Sequence, residues 1–570
     1  MMIEQMKSTS FKQADYATWQ EVAAKSLRGR TVDTLTTMTE ENIEIQPLYT
    51  IEQLDNYSDE KVQQMIQAVR QGKAKDQWVV AQQLYATTGE LFLEQLDDSL
   101  KRGNEAVVYD GSQPIAWEEE QLEKLAQIVI RIPVYALNVA KDDLFLTIFE
   151  RIPEEKRSSV QGAVSGESIV LPGGYRKVRT ICADSRQIHH DGADSVTELA
   201  TTLAKAAEVA TSYEDFSTFA DKFFVRFSID THFFMEIAKI RAFRVLWQTF
   251  SEAYGETKNR PVPVYSETSL RSYSKLDPYV NLLRAGNEAL SAVLGGTDIL
   301  TVHPHDILTG VTPNSFRLAR NVQLVIKEET LVGEVTDPAG GSYFIESLTK
   351  QLVEKAWNFF LEIEEKGGYK AYVSSGQLDN RLEKMHEYRM DQLVRNKKSL
   401  IGTNVYANLT DEFDETEKSM EVAGRLAKPY EEFRGYFQKE QPKIALLTFG
   451  KLADFKPRAD FVSGYLATGG LQAEWSPAFS TVKEAYEWIE NNPFDYGVIC
   501  ASVAETEQVV NEFVAEMPKS LWIDVAGTYA PSVEKSWIDA GVSGFVYKGQ
   551  DQIAKLTEIK NKWRGDRRDA

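Results

Sequence analysis

Six histidines and two cysteines are the whole supply of imidazole and thiol in the 570 residues. The pair in His303-Pro-His305 closes an apolar run, Thr-Asp-Ile-Leu-Thr-Val-His (297–303), and the end of a barrel strand is where catalytic residues collect. No carboxylate or cysteine stands beside it at zinc spacing, so a packed or surface pair is expected there rather than a metal site. His189-His190-Asp191 also follows a strand-like run, and it reads either as an acid/base pair or as hydrogen-bonded structural residues. Asp230 and Glu236 are lone acids; either could be a general base, but a single acid on a helix usually is not. The glycines of Asp-Pro-Ala-Gly-Gly-Ser (337–342) suit a tight turn better than a phosphate cradle. Cys182 and Cys500 each lie in an apolar run typical of a buried strand, which points to neither a disulfide framework nor a cysteine-based zinc site.

The elements that must position these residues follow from the hydropathy pattern. From about residue 60 to 400, short β-branched runs (78–83, 106–109, 144–149, 177–183, 223–228, 262–266 and 297–303) alternate with helical patterns. That alternation is the signature of a parallel sheet covered by helices, and over this length a closed (β/α)8 barrel is the economical choice. The helix predicted over 233–250 is apolar on most sides, interrupted by Glu236, Lys239, Arg241 and Arg244, so it should be buried with its charges paired or at an interface. A charged helical hairpin follows, from Leu352 to about Lys398. Acidic, proline-marked and weakly periodic sequence then predicts a linker, after which five strands and five helices predict an open doubly wound domain of flavodoxin-like type. The first residues, with Phe11, Trp19 and Leu27, are too thin to hold a core and must lie against a larger body. The resulting division is an arm over 1–55, a barrel over 56–400, a linker over 401–440 and a doubly wound domain over 441–570.

Hydrophobic residues make up 43% of the chain and aromatics 11%, enough for packed cores and incompatible with global disorder. The formal net charge of −21 repels polyanions, and no basic stripe offsets it, so a nucleic-acid partner is not expected. Arg564, Arg567 and Arg568 read as a solvated C-terminal tail. The N-terminus, through Lys7 and Lys12, lacks an apolar signal core, and no run of about 18 apolar residues occurs, so a reduced, cytosolic protein without a membrane partner is expected.

In a doubly wound domain the ligand belongs at the first βα turn, here Leu-Thr-Phe-Gly-Lys-Leu-Ala-Asp-Phe-Lys-Pro-Arg (447–458). Only Gly450 is left of any phosphate-binding pattern.

Four long segments carry a resemblance. Phe-Phe-Met-Glu-Ile-Ala-Lys-Ile-Arg-Ala-Phe-Arg-Val-Leu-Trp (233–247), Leu-Asp-Pro-Tyr-Val-Asn-Leu-Leu-Arg (276–284), Arg-Leu-Ala-Arg-Asn-Val-Gln-Leu-Val-Ile-Lys-Glu-Glu (317–329) and Asp-Pro-Ala-Gly-Gly-Ser-Tyr-Phe-Ile-Glu-Ser-Leu-Thr (337–349) resemble the methylmalonyl-CoA mutase family. That resemblance implies a substrate-binding barrel joined by a linker to a flavodoxin-like cobalamin domain. Active members use adenosylcobalamin in a radical 1,2-shift that interconverts succinyl-CoA and methylmalonyl-CoA; the cofactor supplies the chemistry, and the protein binds, orients and excludes water.

The family's cobalamin motif is Asp-x-His-x-x-Gly, the His replacing the lower axial base on cobalt and the Asp orienting it. With Gly450 in register, those positions carry Leu452, Asp454 and Pro457. The glycine-rich loop beside the nucleotide tail becomes Asp-Val-Ala-Gly-Thr-Tyr-Ala-Pro (524–531). In the barrel, the position of the family's active-site His is Tyr265, a poor proton donor near neutral pH, and that of a family Gln is His189. The pattern is similar to the small subunits of heterodimeric bacterial mutases. It implies no catalytic, cofactor-binding or metal residue on this chain, adenosylcobalamin on the partner, and the catalytic large subunit as that partner, with the acyl-CoA bound there. Two alternatives stay open: an acyl-CoA mutase or lyase with an altered barrel using Tyr265, His189, His190 and His303, and a degenerate homologue serving another CoA enzyme.

Overall fold

The computed structural model describes residues 15–54, 60–73, 77–258, 260–411, 420–518 and 520–568. Phe11 and the terminal lysines fall outside them, as do the side chains of Arg564, Arg567 and Arg568.

The helix Tyr16–Ser26 is capped by Asp15, whose side chain accepts from Thr18 N at 2.8 Å, and it buries none of its residues. Two short antiparallel strands follow, β1 (Thr37–Met38) and β2 (Glu44–Ile45). Between them Ile43 is fully buried in the main core and Glu40 is gripped by Arg389 and Lys398. The arm therefore ties itself to the chain's own body from about residue 40 onward.

The next region is mixed α/β with parallel sheets. Strands β3 (Val79–Val80), β4 (Val107–Asp110), β5 (Val134–Val139), β6 (Gln161–Gly166), β7 (Lys177–Arg179), β8 (Ile181–Asp184), β9 (Phe223–Ile229), β10 (Val264–Thr268) and β11 (Ile299–Thr301) form two sheets of order β4-β5-β6-β7 and β3-β11-β10-β9-β8. Every ladder is parallel. The sheets adjoin at both ends: Gln83 bridges Val108, and only Thr180 separates β7 from β8. All seven residues of β9 are buried, as expected of a strand covered on both faces. An inner cluster, including Ala81, Val108, Tyr135, Leu137, Phe224 and Tyr265, draws on both sheets, and the Tyr135 and Tyr265 rings meet edge to face at 5.4 Å.

One predicted strand is helical, and two strands lie where none is predicted. Residues 144–149 are helical, because Asp143 caps them by accepting from Phe145 N at 2.9 Å. The ladder positions are filled instead by β5 and β6.

The long apolar helix is Phe233–Ala253, and its charges are paired inside the chain. Lys239 contacts Glu236 at 2.7 Å and Glu198 at 3.2 Å, Arg241 joins Asp337 and Glu346, and Arg244 contacts Asp298 at 2.6 Å. Each thus has an oppositely charged partner inside the chain. The charged hairpin is the helices Tyr343–Glu365, Gly368–Ser374 and Gln377–Val394.

Inside the segment read as a linker lies a helix, Lys428–Glu440, with Pro429 in its first turn. Phe433 and Phe437 seat it on the C-terminal core. There β12 (Ile444–Thr448), β13 (Ala473–Trp475), β14 (Tyr496–Cys500), β15 (Ile523–Ala526) and β16 (Gly544–Val546) form a parallel sheet of order β13-β12-β14-β15-β16. Gln552 touches both sides of the junction, accepting from Tyr430 OH at 2.9 Å and donating to the Asn404 carbonyl at 3.4 Å. Both cysteines are free. Among the described residues no helix is long and apolar enough to cross a membrane.

Candidate functional site

The carboxyl ends of β4, β5, β8, β9 and β10 bring Asp110, Asn138, Asp184, Arg226 and Glu267 to one place. Asp110, Asn138, Asp184 and Glu267 border a cavity of about 480 Å³, with residues 420–423 along another side. In a parallel α/β unit this is the end where ligands bind, and here it is filled with ion pairs. Arg186 contacts Asp184 at 2.8 Å and Glu267 at 2.9 Å; Arg226 contacts the same two carboxylates at 2.9 and 3.1 Å. Asn138 links the set onward, accepting from Arg186 at 2.8 Å and donating to Asp110 Oδ1 at 2.8 Å. Burial opposes ionisation of Asp184 and Glu267, but the two guanidinium groups outweigh it and hold both carboxyls well below the usual range. Both acids are ionised across the neutral range and already carry strong donors, which is the opposite of a general base waiting for a substrate proton.

The residues singled out by sequence fall around this network in different roles. Tyr265, at the family's His position, points its hydroxyl at Thr301 Oγ1, 2.6 Å away, and burial pushes its acidity far from neutrality. His303 Nδ1 lies 3.1 Å from Tyr85 OH, and the His305 ring stacks on Tyr279 at 5.1 Å. Among the described residues no cluster of three His, Cys, Asp or Glu could hold a metal ion. Asp230 is spent on Arg271 at 2.5 Å, and Glu236 on Lys239. The 337–342 turn serves the Arg241 cluster: Asp337 pairs with that guanidinium, and Gly341 N donates to Glu346 Oε1 at 3.0 Å.

His189 enters an arrangement that sequence reasoning missed. Its Nε2 lies 2.8 Å from Ser269 Oγ, and its Nδ1 lies 2.8 Å from Glu198 Oε1. This is the bonding order of a hydrolytic triad. All three residues are sealed from solvent, Ser269 Oγ also accepts from Arg271 N at 3.1 Å, and Lys239 neutralises Glu198. The chain of bonds therefore serves packing. Burial, reinforced by the field of Arg271, brings the His189 pKa down to about 4, and burial with the neighbouring His189 brings His190 to about 3. No sequence signal marks the set, since its members lie 9 and 80 positions apart. Above His190 runs Gly424, with φ +67; a Cβ there would come 1.7 Å from the His190 carbonyl oxygen, so only glycine passes so close.

In the C-terminal sheet the strand order reverses beside β12, and the crevice there is where a cofactor would lie. Gly450 turns at φ +87 against Glu505, which a Cβ would approach to 2.9 Å. Arg458 Nη1 donates to Thr506 Oγ1 at 2.6 Å and to Tyr529 OH at 2.9 Å, and Tyr529 OH donates to the Ala526 carbonyl at 2.7 Å. Leu452, in the Asp position of the cobalamin motif, is 61% exposed; Asp454 sits in the first turn of the helix Leu452–Ala467, and Pro457 lies inside it. The six histidines are His189, His190, His232, His303, His305 and His386, so residues 441–570 contain no imidazole. A corrin with a protein-held lower ligand does not fit these residues: the imidazole is missing, and a guanidinium and a phenol, bonded to each other, stand at this end of the sheet.

The methylmalonyl-CoA mutase family profile matches residues 173–454. The probable methylmalonyl-CoA mutase small subunit of Mycobacterium tuberculosis is 34% identical over 316 residues, covering 53% of this chain and 51% of that protein. The methylmalonyl-CoA mutase small subunit of Streptomyces virginiae is 30% identical over 402 residues, 67% of this chain and 64% of that one. A methylmalonyl-CoA mutase of Cereibacter sphaeroides is 29% identical over 461 residues, 69% and 64%. The matched part thus spans about half the length of the mycobacterial relative and somewhat under two thirds of the others.

Proposed function

We propose, because the chain belongs to the methylmalonyl-CoA mutase family, that it is the non-catalytic small subunit of a heterodimeric mutase. The pair interconverts succinyl-CoA and methylmalonyl-CoA in the cytoplasm, with adenosylcobalamin and the acyl-CoA held by the large subunit. The proposed organisation is an arm over 1–55, a (β/α)8 barrel over 56–400, a connection over 401–440 whose last helix packs on the C-terminal core, and a flavodoxin-like domain over 441–570. The strand order β13-β12-β14-β15-β16, a 2-1-3-4-5 order, supports the last of these. The adjoining ends of the two N-terminal sheets support the barrel. No catalytic, cofactor-binding or metal residue is assigned to this chain.

The observation that carries the reading is the crevice beside β12, where Arg458 bonds Thr506 and Tyr529 in a segment without any histidine. The ion network across the other mouth supports it, since an acyl-CoA reacting there would have to break paired, buried charges. The chain's own contribution is then structural: it presents a rigid body against which the large subunit is held.

The test is reconstitution. The purified chain, incubated with adenosylcobalamin and gel-filtered, should emerge without corrinoid absorbance and should not turn over methylmalonyl-CoA. Co-expressed with a longer homologue that keeps Asp-x-His-x-x-Gly, it should co-elute with that chain and with activity. A lone chain carrying near-stoichiometric corrinoid, or one that never co-elutes, would sink the proposal. Asp454→His alone should also leave the chain without corrinoid, because the guanidinium and phenol still stand at this end of the sheet; only a variant that also truncates Arg458 and Tyr529 should gain any retention.

A further inference from the structure

A second cavity, of about 440 Å³, opens between the helix Gly89–Lys101 and the start of the helix Pro313–Glu329. Three guanidinium groups border it, and they differ in what they already hold. Arg102 pairs with Asp98 at 2.7 Å, and the exposed Arg317 donates to Asn314 Oδ1 at 3.0 Å. Arg320 is 2% exposed, yet its Nη1 donates only to the neutral Gln82 Oε1, at 2.9 Å, and its Nε has no partner. Among the described residues no carboxylate is in ion-pair contact with it. A buried cation without a counter-charge is costly unless something supplies that charge. Among the other buried arginines, Arg226, Arg241, Arg244, Arg271, Arg389 and Arg425 each have a carboxylate, while Arg284 and Arg434, which lack one among the described residues, place both Nη groups on carbonyl oxygens. Burial depresses the Arg320 pKa; Asp98 opposes that only partly, and Arg102 and Arg317 add to it.

Apolar residues border it as well: Leu91 on the first helix, Val311 just before the second and Phe316 within it, with the Phe316 ring edge-on to Tyr85 at 6.5 Å. Glu94 and Asp98 also border the cavity, so its formal balance is three cations against two acids, on a chain of net charge −21. A metal ion is disfavoured by the guanidinium groups, and a polyanion by the overall charge.

We infer that this cavity binds a small amphipathic anion. Its oxyanion head is taken by the Arg320 fork with help from Arg317 and Arg102, and its apolar tail lies on Leu91, Val311 and Phe316. Planar guanidinium groups match carboxylate and phosphate alike, so the head is one of these two. The inference needs only this chain and is independent of the partner proposed above.

The test uses the full chain alone, by calorimetric titration and thermal melting, with phenylacetate, phenyl phosphate and inorganic phosphate as probes. At least one organic probe should bind saturably and raise the melting temperature, and the better of the two identifies the head group. Arg317→Gln should weaken that binding roughly tenfold. Arg320→Met should abolish it while leaving the melting temperature of the unliganded chain unchanged or higher. No saturable binding up to about 10 mM, or wild-type binding by Arg317→Gln, would overturn the inference. Inorganic phosphate binding as tightly as phenyl phosphate would remove the amphipathic class. A lower melting temperature for unliganded Arg320→Met would make that guanidinium a structural donor and end the case for a ligand.

Discussion

Arg241→Met should cost the protein about 3–5 kcal/mol of stability, read as a lowered urea midpoint with an unchanged slope. Arg241 sits in the middle of the helix Phe233–Ala253 with no exposed surface, and it joins two carboxylates, Asp337 and Glu346, that are themselves buried. Removing the cation leaves two like charges facing each other in a low-dielectric site. Their hydrogen bonds to the 337–342 turn do not compensate, because Asp337 Oδ2 already lacks a partner. The position also locks elements distant in sequence, since Glu346 lies in the first turn of the helix Tyr343–Glu365 and Asp337 in the turn before it. The triple variant Arg241→Met, Asp337→Asn, Glu346→Gln should recover much of the loss, because the uncompensated charge is gone. A single variant within about 1 kcal/mol of the wild type would show that the cluster is hydrated and that its burial has been misjudged.

Glu288→Gln should stabilise the protein, and by more the higher the pH. Glu288 lies in the helix Pro278–Gly295, fully buried, and neither carboxyl oxygen has a hydrogen-bond partner of good geometry. Burial, then the charge of Asp230, push its pKa well above the usual range, with Arg284 only partly opposing them. The folded state therefore keeps this proton, while the unfolded chain releases it above about pH 4.5. Stability from this group is present below that pH and is lost as the pH rises toward the folded pKa, at ~1.4 kcal/mol per unit. Glutamine copies the protonated acid and removes the dependence. Urea titrations at pH 4.5 and at pH 8 should thus give equal midpoints at the lower pH and a clear advantage to the variant at the higher. Equal midpoints at both would mean that the carboxylate is ionised in the fold.

The parallel α/β organisation is legible in the sequence because covered strands are continuous apolar runs, as in β9, where seven buried residues read Phe-Phe-Val-Arg-Phe-Ser-Ile. Strand β6 is not legible for the converse reason. Gln-Gly-Ala-Val-Ser-Gly has no bulky run, and its Gly162 is dictated by a neighbour: a Cβ would sit 1.8 Å from the Val134 carbonyl oxygen. Residues 144–149, apolar enough to pass for a strand, become helical through one capping carboxylate at Asp143. Periodicity also overlooked the helix Lys428–Glu440, whose polar residues hide Tyr430, Phe433 and Phe437. For the site, the register that places Leu452, Asp454 and Pro457 in the motif and Tyr265 in the position of the family's His is a matter of local sequence. The Arg186–Asp184–Arg226–Glu267 network and the Ser269–His189–Glu198 chain are not, because their members come from three strands, two helices after β8 and the residue following β10, which only the folded arrangement brings together.

The close pass of Gly424 over the His190 carbonyl makes this one position a spacer of zero thickness. Any larger residue would wedge the overlying segment outward, and residues 420–423, which border the mouth, would be levered away with it. A designer wishing to widen that mouth could do so from outside, by adding a single methyl group at position 424, without touching the charges beneath.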